Sequence, residues 1–331
     1  MRERTGMTAA GPNERYAMLR PYATAVRFPV ESVSAILRSC WKWRPKGKSA
    51  VRPIYIIGCG RSGTSILGEI LSHHRAVDYR FEPNAAWALA TAKADFSGLY
   101  RRFGGQLFLD SEDVSEAVRR RYRLLFAHSR EQVLVDKSPA NALRLPFLDA
   151  LEPAARYVHI ARDGVEVSRS IERVANREQT RVAGRGQLND WWGIDCVKWK
   201  RLQREGGEKG YFSESVSKIS DNVQMGAYEW LVSLTEIGRW RPSLGERFFE
   251  MRYAELIRYP ERELKRLAEW IGIDPDDSWV RIGSGMLLSP TETEVHDMRV
   301  TLPARISEAF NSMQAHYGFP GYAVADEPVL P

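Results

Sequence analysis

Cysteine is scarce: Cys40, Cys59 and Cys196 are the only three in 331 residues, and they form no pattern. So few, and an odd number, argue against a disulfide framework and for a reducing compartment. Nowhere does the chain approach the ~18 consecutive apolar residues of a membrane-spanning helix. The opening "MRERTGMTAAGPNERY" also has no apolar region of the kind a secretory signal requires. A cytoplasmic protein is therefore the expectation. The chain shows no internal repeats. Neither sign of charge dominates: 48 Lys and Arg stand against 42 Asp and Glu, a net charge of +6. That balance suits an anionic ligand, but with scattered basic residues and no recognition motif it does not point to nucleic acid. With 44% hydrophobic and 27% charged residues the chain has the makings of a packed globule.

The most informative absence is a single lysine. From Gly58 the sequence reads G-C-G-R-S-G-T-S, with glycines at the first and sixth places of the phosphate-loop pattern G-x-x-x-x-G-K-[ST]. Thr64 stands where the lysine that grips β- and γ-phosphates belongs. A strand, a glycine turn and a helix start still aim backbone N–H groups and the positive end of a helix dipole at an anion. Gly60, Ser62, Gly63, Thr64 and Ser65 supply that cradle, with hydroxyl donors, and Arg61 brings a cation into the turn. The loop reads as a site for a single phosphate.

Around it the pattern is α/β. "PIYIIG" is a short β-branched run entering the glycines, followed by a helix from Thr64 to His74. Gln132–Lys137, Arg156–Gly164 and Arg247–Tyr253 are three further strand candidates, and a helix is expected over Asn141–Leu151. Strands alternating with helices predict a P-loop-like, three-layer α/β fold with a central parallel sheet flanked by helices. Ligands in such sheets sit at the carboxyl ends of strands, where these motifs fall. Residues 1–50 read as a basic, amphipathic extension and 51–331 as the main domain, with an irregular insertion at about 180–220. A helix over Leu302–Tyr317 stops at "GFPGY". Residues 22–48, with Trp41 and Trp43 in a basic cluster, can make peripheral membrane contact or dock as a helix ahead of a solvated linker.

"IIGCGRSGTSIL" resembles the 5′-phosphosulfate loop of the sulfotransferases that use 3′-phosphoadenosine 5′-phosphosulfate (PAPS), in the branch that includes tyrosylprotein and many bacterial enzymes. Cys59-Gly60 replaces the usual residues before the arginine. "RYVHIARDGVEVSRSI" resembles the family's 3′-phosphate motif, with Arg162 at the strand end and Ser170 eight residues on. "LVDKSPANALRLPFL" matches the lysine-containing stretch through Lys137, and "RYAELIRYPERELKRLAEWIGI" the nucleotide-side segment through Tyr253. The likeness spans Pro53 to Ile273. It implies a PAPS-dependent sulfotransferase that releases 3′,5′-ADP and requires no metal, with Arg61 and Lys137 stabilising charge. In that branch a glutamate shortly after the loop helix serves as base, which carries over to Glu82. An ordinary helix-start carboxylate is the plain alternative, and His73 and His74, at the end of the loop helix, are rival bases that also read as structural. Ser289, Thr291 and Arg299 are candidates for a C-terminal cofactor lid.

The acceptor must bear a hydroxyl. Trp191, Trp192 and Trp199 lie among lysines and arginines in the insertion; aromatic faces with polar neighbours suit a sugar ring, so Trp191 and Trp192 are candidate acceptor-binding residues in a glycan or glycolipid sulfotransferase. Packing of the insertion onto the core accounts for the same residues. Two other classes remain. Val133–Asp136 imitates the apolar run and acid that hold Mg²⁺ in ATP-using phosphotransferases, although Lys137 beside that acid and the missing loop lysine weigh against one. A non-catalytic nucleotide- or glycan-binding protein would leave Arg61, Glu82 and Lys137 idle.

Overall fold

The computed structural model describes residues 52–98, 100, 105–126, 132–182, 186–287 and 298–326. The expected extension over 1–50, with its tryptophans and Cys40, lies outside the described residues, as do His128, Ser289, Thr291 and His296.

Five parallel strands make the central sheet in the order β2-β3-β1-β4-β8: β1 (Arg52–Ile57), β2 (Val77–Phe81), β3 (Val133–Lys137), β4 (Arg156–Ala161) and β8 (Phe248–Arg252). The first half of the chain adds α1 (Thr64–Ser72), α2 (Asn84–Ala90), α3 (Glu116–Phe126), α4 (Leu145–Leu151) and α5 (Gly164–Ala175). After a small antiparallel ribbon of β5 (Thr180–Val182), β6 (Gly186–Asn189) and β7 (Gly193–Ile194) come α6 (Val197–Glu208) and the long α7 (Asn222–Leu244). Beyond β8 follow α8 (Tyr253–Arg258), α9 (Pro260–Ile271) and α10 (Asp277–Leu287). The last described elements are β9 (Arg299–Leu302), α11 (Ala304–Tyr317) and β10 (Tyr322–Ala325). Among the described residues no helix is long and apolar enough to cross a membrane.

The continuous apolar runs in β1, β3 and β4 follow from burial on both faces. Ile54 and Ile56 pack with Leu67 and Ile70 of α1 and Leu264 of α9, while Tyr55 and Ile57 pack with Trp87, Tyr122 and Phe147 on the other side. Because side chains alternate along a strand, Lys137 faces the α1 side and Asp136 the opposite one. Register sets Lys137 beside Ile56 of β1 and Phe81 of β2, so the carboxyl ends of three strands meet the glycine loop.

Two expectations change. The helix over Asn141–Leu151 is divided into a 3₁₀ turn, Pro139–Leu143, and α4, with Arg144 at φ −131 between them. Pro146 has no N–H to give the carbonyl four residues earlier, so α4 takes it near its own start. The stretch expected to be irregular carries both the ribbon and α6, and Trp192, Trp199, Leu202 and Tyr211 join Tyr228 and Trp230 of α7 in one apolar cluster. The C-terminal helix ends as expected on a glycine, Gly318, at φ +66. The parallel pairing of β9 with β10 was not legible beforehand.

Candidate active site

The glycine loop turns sharply from β1 into α1. Gly63, the residue before α1, has φ +97 and ψ +3, a left-handed conformation that favours glycine. It also lies close against Tyr253: a Cβ there would sit 2.4 Å from Cδ2 of the ring. At Gly60 the approach comes from the insertion, where a Cβ would lie 2.2 Å from Cη2 of Trp191. The two aromatic rings thus close on the loop from residues far away in sequence. Cys59 is buried, and burial pushes its thiol well above the usual range, so it is not poised as a nucleophile. The Ser62 hydroxyl is buried and has no hydrogen-bond partner among the described residues; Ser138, directly after Lys137, is alike in both respects.

Arg61, at φ +72, donates from Nε to Ser170 Oγ at 3.0 Å. The loop and the second motif are therefore joined directly. Arg162 leaves β4 at its end, donates from Nη1 to the Arg61 carbonyl at 3.3 Å, and lies over the Tyr253 ring, 4.5 Å from its centroid. Its Nε is taken by Glu166 Oε2 at 2.6 Å. Asp163 caps α5 by accepting from the amides of Val165 and Glu166, so the Arg-Asp-Gly turn is a helix start as well. The Arg162 carbonyl accepts from Trp230 Nε1 at 2.9 Å, tying the turn to α7.

On the other side of the loop, Lys137 donates to Glu82 Oε1 at 2.5 Å. The Lys137 side chain is only 2% exposed, that of Glu82 32%. Burial pushes the Lys137 ammonium below the ordinary lysine range; Glu82 pulls it back up and the nearby Arg61 presses it down again. That mutual influence places Arg61 in the same field as the Glu82–Lys137 pair. Glu82 itself sits at φ +42, an uncommon place for a non-glycine residue, and its N–H bonds the Lys137 carbonyl at 2.8 Å. Its carboxylate turns to Lys137 rather than to the amides at the start of α2, so the helix-start alternative does not hold. Among the described residues Glu82 Oε2 has no hydrogen-bond partner.

The rival bases lie elsewhere. His73 and His74 follow the nine residues of α1, about 13 Å from its start. His74 accepts from the Ala76 amide through Nδ1 (3.1 Å) and so donates from Nε2 to the Asp274 carbonyl (2.8 Å), a packed structural histidine. His159 is buried beside Glu250 of β8, and His316 is exposed on α11. Asp136 is committed to the core on the face away from α1. Its two oxygens accept from Trp87 Nε1 and Asn141 Nδ2, both at 2.9 Å, and burial pushes its carboxyl up to about 6. It does not face the loop as an Mg²⁺-holding acid would have to.

Of the two tryptophans expected to meet an acceptor, Trp192 is a correction. Its ring is 1% exposed, and its Nε1 donates to Asn222 Oδ1 at 2.7 Å, so it packs the insertion onto α7. Trp199 is buried with it. Trp191 is the half-buried one. Its Nε1 donates to Glu229 Oε2 at 2.8 Å, Glu229 Oε1 accepts from Lys198 at 2.7 Å, and that ammonium lies 4.1 Å from the Trp191 ring centroid. The buried pair fixes the indole over the loop. Of the lid candidates, Arg299 stands on β9, where its carbonyl accepts from Arg169 of α5. Two residues of the site went unread in the sequence: Glu166, although four residues after Arg162 at a helix start is contact spacing, and Ser138, which nothing but its place after Lys137 would have marked.

Residues 53–211 match the model of the family described as the Sulfotransferase family. Among solved structures the chain is similar to the sulfotransferase domain from the curacin biosynthetic pathway, at 15% identity over 82% of this chain and 100% of that one, with a TM-score of 0.52. The sulfotransferase domain from the Synechococcus PCC 7002 olefin synthase aligns at 16% identity over 84% and 99%, TM-score 0.46. A sulfotransferase from Mycobacterium avium aligns at 15% over 83% and 79%, TM-score 0.45. At these identities the first likeness is one of fold. No curated protein matches the sequence.

Proposed function

We propose that this chain, whose residues 53–211 match the model of the Sulfotransferase family, transfers a sulfonate group from PAPS to a hydroxyl of a carbohydrate, in a glycan or glycolipid. The observation that carries this reading is the Glu82–Lys137 pair at the carboxyl ends of β2 and β3, within the field of Arg61. The residues present fit the donor. Gly60 to Ser65 and the start of α1 offer amides, hydroxyls and a positive dipole to a 5′-phosphate, and the buried Ser62 hydroxyl is without a partner among the described residues. Arg162 and Ser170 stand beyond the loop, with Tyr253 against Arg162, where a 3′-phosphate and a nucleoside would lie. When bound, the donor supplies an activated sulfonate and a leaving phosphate.

The chain's own residues do the rest. Glu82 Oε2 takes the proton of the acceptor hydroxyl as its oxygen bonds to sulfur. Lys137 holds the Glu82 carboxylate through their hydrogen bond and, with Arg61, brings positive charge to the sulfonate and the leaving oxygen. The strained backbone at Glu82 fixes the carboxylate against Lys137, so little reorganisation is needed. Trp191 covers Gly60 on the side of the insertion, and its half-exposed ring with Lys198 behind it supports a sugar as acceptor. The two described cysteines are unpaired, in keeping with a cytoplasmic setting.

Calorimetry with 3′,5′-ADP, 5′-AMP and ATP·Mg²⁺ tests the donor side. Tight binding of 3′,5′-ADP alone is expected, and a preference for ATP·Mg²⁺ would replace this reading with a phosphotransferase. On the catalytic side, Glu82→Gln should abolish transfer of labelled sulfonate while 3′,5′-ADP binding stays within a few-fold. Unchanged turnover would remove Glu82 from the base role.

A further inference from the structure

Arg162 is held on three sides. Glu166 Oε2 takes its Nε at 2.6 Å, the Arg61 carbonyl takes Nη1 at 3.3 Å, and Tyr253 covers one face at 4.5 Å. The rest of its donor fork, Nη2 and the second Nη1 hydrogen, is what a phosphate can reach. Glu166 is not required to begin α5, since Asp163 already caps it. Its side chain is about one-third exposed, so burial does not explain the ion pair either. A carboxylate placed there does two things at once. It fixes the azimuth of the guanidinium, and it puts a negative charge beside any dianion that the same guanidinium binds.

We infer that Glu166 is a positioning residue that orients Arg162 toward the 3′-phosphate and, by its own charge, weakens the hold on it so that the bisphosphate product is released. The inference rests on the reading of Arg162 given above. Both donor and product carry the 3′-phosphate, so a site built only for affinity would retain its product. Sharing one guanidinium between two anions limits that affinity while the orientation is kept.

The test is calorimetry on the full chain with 3′,5′-ADP and 5′-AMP, for wild type, Glu166→Gln and Glu166→Ala. Glutamine keeps an oxygen for Arg162 Nε but not the charge. The expected result is a gain of about tenfold in 3′,5′-ADP affinity for Glu166→Gln, from removing one repulsive charge a few ångströms from a dianion near the surface. The affinity for 5′-AMP should not move, and the gain should shrink at 1 M salt as screening shortens. Glu166→Ala, which also releases the guanidinium, should gain less. In turnover, Glu166→Gln should be inhibited by 3′,5′-ADP at correspondingly lower concentration. Equal or weaker binding by Glu166→Gln overturns the inference while leaving the donor reading intact. A wild type that does not distinguish 3′,5′-ADP from 5′-AMP removes the donor reading itself, and the inference with it.

Discussion

Replacing Gly63 by alanine tests whether the loop's shape is imposed by its neighbours or only by its own backbone. Two separable costs are expected. At φ +97 an alanine gives up about 1–2 kcal/mol relative to glycine, because its Cβ crowds the following carbonyl. The Cβ would also lie 2.4 Å and 2.7 Å from two carbons of the Tyr253 ring and 3.2 Å from Ile160 Cδ1. Inserting a methyl where there is no room costs about 1–3 kcal/mol more. Gly63→Ala should therefore lose about 2–5 kcal/mol in urea denaturation, a large share of the stability of an ordinary domain. The second cost depends on the ring, so in a Tyr253→Ala background the same change should lose only the first. A double-mutant cycle then returns a coupling of about 1–3 kcal/mol. Additivity within ~0.5 kcal/mol would refute the packing of Tyr253 on Gly63. The same displacement takes the ring off Arg162, so the single mutant should also bind 3′,5′-ADP more weakly.

Arg162→Ala should lose on the order of 1.5–3 kcal/mol of 3′,5′-ADP binding, the range for charged hydrogen bonds, and leave 5′-AMP unchanged; equal affinities for 3′,5′-ADP would sink the assignment. Trp191→Ala should raise the acceptor KM several-fold and spare donor binding, and a rise in donor Kd alone would contradict an acceptor role. Asp136 predicts a pH effect on stability. Its carboxyl is pushed up to about 6 from an ordinary 3.8 by burial, so the folded state holds its proton more tightly than the unfolded one. The corresponding stability, about 3 kcal/mol, is fully present below pH ~4 and lost as the pH rises through about 6. Denaturation of wild type and Asp136→Asn between pH 4 and 7 should show that slope in the wild type only; parallel profiles would refute it.

The sheet was legible because strands buried on both faces must be apolar along their whole length, and each of the inner three ends in a polar motif. The resemblance to the family's 3′-phosphate motif marked Arg162 at the end of β4 and Ser170 on α5. What spacing does not carry is which distant ring will lie on which glycine. Trp191 reaches Gly60 and Tyr253 reaches Gly63 across more than a hundred residues, and a sequence shows only that the glycines are there. For the same reason Trp191 and Trp192 looked alike. Neighbours in an irregular segment follow no period, and only the packing of α7 decides that one ring is core and the other faces the loop. The division of Asn141–Leu151 was in principle readable from Pro139 and Pro146, whose effect was outweighed by the apolar pattern.

The cap of α5 has a consequence for how the molecule is made. Asp163 Oδ2 accepts from Gln314 Nε2 at 3.0 Å and from the Gly321 amide at 2.8 Å, while the Gly164 amide donates to Gln314 Oε1 at 3.0 Å. These partners are 150 to 158 residues further along the chain. A growing polypeptide that has emerged as far as α7 already owns every strand of the sheet but one, together with Arg61, Glu82, Lys137, Arg162 and Ser170. Yet the turn that presents Arg162 is still short of the groups that secure Asp163. Closing so wide a loop is entropically costly and belongs late in folding. Donor binding should therefore switch on as one of the last events of maturation, and a nascent chain halted before Gln314 would carry all the residues proposed for catalysis without a finished place to bind.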